Sequence, residues 1–115
     1  MIEKEELECI LNSSPYPIVF VDTNHIIKFL NTTAKHLYYT QRGYDDLIGK
    51  SLFDCHNEKS KERIIKAVES LKNHGNEIFL TVTSKNQRLY ICPVRNKKGE
   101  LIGYYERFEN NFTAC

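Results

Sequence analysis

The sequence predicts an α+β domain built on an antiparallel sheet. Three observations carry that expectation: two short strand-like runs stand near the start, three longer ones stand near the end, and the segments between them are helical in period. Strands that alternated singly with helices would indicate a parallel sheet, whereas strands grouped around a helical middle indicate antiparallel pairing. The 115 residues suit one domain, and a chain of this size buries roughly 65% of its unfolded surface without disulfide staples.

Residues Ile2–Leu11 read as a helix, with Leu7, Ile10 and Leu11 as a short apolar stripe among Glu3, Glu5, Glu6 and Glu8. Pro15 and Pro17 stop it. Ile18–Asp22 reads as a buried strand, Asp22-Thr23-Asn24 as a turn with Asn24 suited to a left-handed conformation, and His25–Leu30 as the returning strand. Asn31-Thr32-Thr33 is a capping signal for a short helix over Ala34–Tyr38, and Tyr44–Gly49 reads as one helical turn closed by glycine. The long helix runs Glu58–Asn73, with Ile64, Ile65, Val68 and Leu71 on one face. Glu77–Ser84, Arg88–Arg95 and Leu101–Glu109 are three strands joined by hairpin-length loops rich in turn residues.

Composition narrows the function. Sixteen Lys+Arg against fifteen Asp+Glu give a net charge of +1, so no global field draws nucleic acid or anionic membrane, and Lys97-Lys98 is a solvated hairpin tip. The longest apolar runs are strand-sized, the first residues are acidic rather than those of a signal peptide, and the expected compartment is the cytoplasm. Cys9, Cys55, Cys92 and Cys115 contain no C-x-x-C spacing and read as free thiols of a reducing compartment. No phosphate-binding glycine loop is present, and neighbouring side chains such as Cys55 and His56 point apart, which argues against a nucleophilic dyad and against an enzyme.

Several stretches together resemble the PAS sensory family. They are Ile18-Val19-Phe20-Val21-Asp22, then Phe29-Leu30-Asn31-Thr32-Thr33-Ala34, then Gly43-Tyr44-Asp45-Asp46-Leu47-Ile48-Gly49-Lys50-Ser51, and finally the hairpin Cys92–Gly103 with its proline, turn and glycine in register. The resemblance implies a five-stranded antiparallel sheet with helices on one face and a cavity between them for haem, flavin, an organic acid or nothing. It divides the chain into a capping or dimerisation helix at 1–12, a PAS domain at 13–110 and a tail or linker start at 111–115. It also implies a signalling module that belongs to a longer protein with an effector domain, such as a transcription regulator, and that relays occupancy to it.

The same resemblance places Cys55-His56 at the cavity border, where some haem-binding relatives carry their iron ligand. Haem b on His56 is therefore the leading cofactor expectation, with Cys55, Tyr104 and Tyr90 as further cofactor-binding candidates. A helix-capping role for His56 and a redox role for Cys55 stand beside it. Tyr104 or Tyr105 would replace the tryptophan that aerotaxis-type relatives use, since the chain has no tryptophan. Leu52 occupies the position of the flavin-reactive cysteine, so photochemistry is not expected. His25, His36 and His74 read as surface residues.

Period-two counting adds an independent point. Both faces of the last two strands are apolar: Ile102, Tyr104 and Phe108 oppose Leu101 and Tyr105, while Tyr90, Cys92 and Val94 oppose Leu89 and Ile91. Something must cover the second face. The candidates are the first helix and a second copy of the chain, docked through Leu7, Ile10, Leu11 and the outer sheet face. The rival to a ligand sensor is a pure interaction module whose interior is filled by side chains such as Phe20, Phe29 and Leu80.

Overall fold

Helix α1 (Lys4–Asn12) begins with a reciprocal cap, in which the Glu6 carboxylate accepts the Glu3 amide at 2.9 Å while the Glu3 carboxylate accepts the Glu6 amide. The computed structural model of the chain describes residues 1–55, 57–73 and 75–110, Cys55 by its backbone alone. Strands β1 (Val19–Asp22) and β2 (Ile27–Leu30) form the first antiparallel pair. At their turn the Asp22 carboxylate accepts the amides of Asn24 and Ile26 at 2.9 and 3.0 Å. The left-handed residue is His25, at φ 64°, and not Asn24. Histidine is among the side chains that tolerate this region, and the Asp22 contacts close the turn one residue later than composition suggests.

The capping signal at Asn31 starts α2 (Thr32–Lys35), which widens at once into a π-helix over His36–Gln41. Tyr44–Gly49 is a loop rather than the expected helical turn. The Asp46 carboxylate accepts the Ile48 amide and the Tyr39 hydroxyl accepts the Leu47 amide, both at 3.1 Å, offering the backbone partners that a helix would otherwise supply. A 3₁₀ turn (Leu52–Cys55) leads to α3 (Glu58–Asn73), whose Ile64, Ala67, Val68 and Leu71 are buried. Fully burying side chains of this kind is worth about 1.5–3 kcal/mol each for the larger ones.

Strands β3 (Ile78–Val82), β4 (Gln87–Arg95) and β5 (Leu101–Asn110) complete a five-stranded, wholly antiparallel sheet in the order β2-β1-β5-β4-β3. The helix-facing side carries Val19, Val21, Ile27, Leu30, Ile91 and Tyr104 into one core with α3. A bulge alters the expected alternation at the start of β5: Val94 pairs with Gly103 but Arg95 pairs with Leu101, leaving Ile102 as the extra residue. Leu101 therefore packs on the core and Ile102 is exposed, the reverse of simple period-two counting. The Arg95 guanidinium donates to the Leu71 and Gly99 carbonyls, which ties the end of α3 to the β4–β5 hairpin.

Candidate functional site

Three features compete for a functional role: the interior beneath the helices, the outer face of the sheet, and the buried amide that connects them. The sequence expectation places a ligand in the interior. Between helices and sheet the void measures about 20 Å³, walled by residues including Val21, Ile27, Leu30, Leu52 and Tyr104. That is room for about one water, whereas ligand pockets run to roughly 300–1,000 Å³. Haem does not fit this interior. His56 lies outside the described residues, as does the Cys55 side chain, so neither candidate ligand is located.

Tyr104 is inside as expected, 1% exposed. Its hydroxyl is hydrogen-bonded to His25 Nδ1 at 2.8 Å, an arrangement suited to a neutral imidazole that carries its proton on Nε2. The His25 ring packs on Phe53 at 4.5 Å between centroids, and Lys61 lies over the other ring at 5.5 Å. His25 is thus a half-buried bracket between the β1–β2 turn, β5 and the 3₁₀ turn, and not the free surface residue its sequence position suggests. Burial, aided by the Lys72 charge, lowers its pKa below the ordinary 6.5. Burial likewise raises the Tyr104 phenol, which stays protonated.

Tyr90 is on the opposite face. It pairs with Arg107 across the β4–β5 ladder, and the Arg107 guanidinium lies 4.3 Å over its ring. Arg107 also grips Glu77 with two bonds of 2.8 and 2.7 Å, and Cys92 donates to the same carboxylate at 3.5 Å. Tyr90 and Tyr104 therefore cannot line one cofactor site. Burial first, and the Glu77 bond second, push the Cys92 thiol up, so it is a thiol and not a reactive thiolate.

The outer face carries an open apolar groove of about 400 Å³ lined by Leu11, Ile18, Phe20, Phe29, Val94 and Tyr105. Phe20 and Phe29 belong here and do not fill the interior. They pair across β1 and β2, and Tyr105 pairs with Phe20 from β5. Helix α1 reaches the groove only through Leu11. No residue of α1 is buried; Leu7 is 48% and Ile10 is 58% exposed. The helix does not cover the apolar face.

Asn31 is the residue whose role exceeds its sequence reading. It is 0% exposed and makes four hydrogen bonds. Its Oδ1 accepts the Ile18 and Ala34 amides, both at 2.9 Å, and its Nδ2 donates to the Leu11 and Tyr16 carbonyls at 2.9 and 3.1 Å. One amide thus caps α2, holds β1 and fixes the end of α1. Composition signalled the cap; the other three partners lie 13 to 20 residues away and leave no local trace.

The strands lie in the order β2-β1-β5-β4-β3 beneath the helices, and residues 7–110 match the model of the PAS domain family. The chain belongs to the PAS domain family. No curated protein matches it. Among solved structures, this PAS chain is similar to a C-terminal domain from Streptococcus mutans (22% identity, TM-score 0.74, covering 95% of this chain and 85% of that one). It is also similar to the PAS domain of a Colwellia psychrerythraea protein (16%, TM-score 0.67, 92% and 94%). A third likeness is to the Aer2 receptor from Vibrio cholerae, described as a dual PAS-heme oxygen sensor (23%, TM-score 0.58, 81% and 91%). At these identities the likeness is one of fold. Among the described residues, no group of three or more His, Cys, Asp or Glu side chains is placed to hold a metal ion, and no helix is long and apolar enough to cross a membrane.

Proposed function

We propose that this PAS domain is a signal-transduction module of a longer protein and that it works by self-association, two copies docking through α1 and the outer sheet face. The observation that carries this reading is the open groove beside an α1 whose Leu7 and Ile10 are exposed. Leu11, at the end of the stripe, lines the groove. A two-fold axis then sets each copy's stripe against the other's groove, the self-complementary arrangement of a symmetric dimer. A contiguous apolar patch of this kind on a single copy marks an interaction site. Asn31 supplies the mechanical link, since the amide that caps α2 also holds the last carbonyls of α1 and its connection. A change in the helical roof then alters the angle at which α1 meets its partner, and an attached effector domain reads that change.

Haem b on His56 is not part of this proposal, because the interior void is an order of magnitude too small for it. The test is the molar mass in solution by light scattering, for the chain and for a Leu7→Glu, Ile10→Glu double variant. Both positions are on an exposed helix face, so the fold is untouched. A concentration-dependent dimer that the double variant converts to monomer supports the reading. A monomer at about 100 µM, a concentration at which a pair with micromolar Kd would associate, or a dimer that ignores both substitutions, refutes it.

A further inference from the structure

The two edges of the sheet differ in how they are finished. On β2 the loop at 49–51 closes the free side: the Lys50 carbonyl accepts the Ile27 amide at 2.9 Å, the Gly49 amide donates to the Ile27 carbonyl at 2.8 Å, and Ser51 bridges Ile26. Among the described residues, no strand or loop closes the far side of β3 in this way. A bare edge is a template for another strand, and proteins ordinarily blunt it with a charge, a proline or a cover. Ile78-Phe79-Leu80-Thr81-Val82 contains neither charge nor proline, and its Phe79 and Val82 side chains are exposed.

An irregularity in this strand decides what fits it. Leu80 is an extra residue, since Phe79 pairs with Tyr90 but Thr81 pairs with Leu89. Phe79 therefore shares the outer face with Tyr90 and Arg107, and Val82 shares it with Arg88 and Glu109. In a regular strand, residues three apart lie on opposite faces; here the bulge returns both exposed side chains to one face. Phe79 packs edge-on against Tyr90, 5.7 Å between centroids.

We propose that β3 is a second self-association site, at which the edges of two copies pair antiparallel about a two-fold axis between Leu80 and Thr81. In this register each Phe79 stands opposite the partner's Val82 on the outer face, an aromatic against a β-branched side chain on both sides of the axis. Leu80 meets Thr81, Ile78 meets Thr83 and Glu77 meets Ser84, so no like charges oppose one another. The strand is thus complementary to itself, and the bulge makes it so: without the extra residue the same register would set an outer side chain against a helix-facing one. The α1 groove takes its strand residues from β1, β2, β4 and β5 and none from β3, so the two contacts are independent. A contact one short strand long is far smaller than the roughly 1,200 Å² of a stable interface, which puts its Kd on the order of 1 mM. Edge pairing therefore joins copies where they are concentrated, and few pair this way at about 100 µM.

The test is NMR on the Leu7→Glu, Ile10→Glu variant, which removes the α1 stripe, at about 1 mM and about 50 µM. In an equal mixture of isotope-labelled and unlabelled protein, a filtered spectrum should show contacts between the Phe79 ring of one copy and the Val82 methyls of the other. Half the copies are paired when the concentration equals Kd, so the outward amides of β3 should exchange about twofold more slowly in the concentrated sample. Val82→Lys should abolish both signals, and the position is exposed, so the core is left alone. Contacts between two Phe79 rings would assign another register and overturn the one proposed. Equal exchange at both concentrations would show an edge open to a strand of some other protein, and would overturn self-pairing. The α1 pairing is read from the parent chain's molar mass, so either proposal can fail alone.

Discussion

Replacing Asn31 separates a helix cap from a structural hub. If Asn31 only capped α2, aspartate would serve as well, because Asn and Asp are equivalent at that position and differ little in helix stability. In the structure Asp would keep the acceptor for the Ile18 and Ala34 amides, but would lose the donor to the Leu11 and Tyr16 carbonyls and aim a carboxylate oxygen at both. Stranding a buried polar group costs about 1–3 kcal/mol, and two carbonyls facing an anion reach the upper part of that range. Asn31→Ala removes the acceptor as well, which adds the loss of a cap, about 1 kcal/mol. Both variants are therefore expected to lose roughly 3–5 kcal/mol. For a domain of this length that is a fall in Tm of about 12–20 °C, at ~4 °C per kcal/mol. Thermal and urea unfolding followed by circular dichroism measure it. An Asn31→Asp protein within about 0.5 kcal/mol of the parent would leave Asn31 as a cap and nothing more, and would remove the link on which the relay to α1 depends.

Two other perturbations test the packing of the sheet and its interior bracket. Gly103→Ala should destabilise by at least about 1–3 kcal/mol, because an added Cβ would stand 2.6 Å from Phe20 Cε1 and against the Val21 carbonyl oxygen; urea unfolding at the parent midpoint would refute it. His25, whose pKa lies below 6.5 in the folded chain, binds its proton more readily once unfolded, so stability is held at neutral pH and falls as the pH drops through 6.5. His25→Gln should flatten the slope of unfolding free energy between pH 7.5 and 5.5, and an unchanged slope would show that another group titrates.

Comparison of particular elements shows where local pattern sufficed. Helix α3 has the expected bounds, Glu58–Asn73, because sixteen residues of sustained amphipathic period leave one way to bury Ile64, Val68 and Leu71. The grouping of strands at the two ends of the chain likewise required an antiparallel sheet, and five strands formed in the expected places. The apolar character of both faces of β4 and β5 was also legible, and the outer groove is its consequence.

Contacts between distant segments decided the rest. The bulge at Ile102 exchanged the faces of two residues, since one unpaired position reverses every alternation beyond it. His25 looked peripheral because its partners, Tyr104 and Phe53, are 79 and 28 residues away. Tyr90 and Tyr104 read as members of one site until the pleat placed them on opposite sides of the sheet. The volume of the interior was likewise beyond composition, because it depends on how closely the loop at Leu47, the 3₁₀ turn and α3 settle onto the strands. Hydrophobic period determines which face of an element is buried; only the assembled molecule determines how much space remains beneath it, because packing density is a property of all the elements at once.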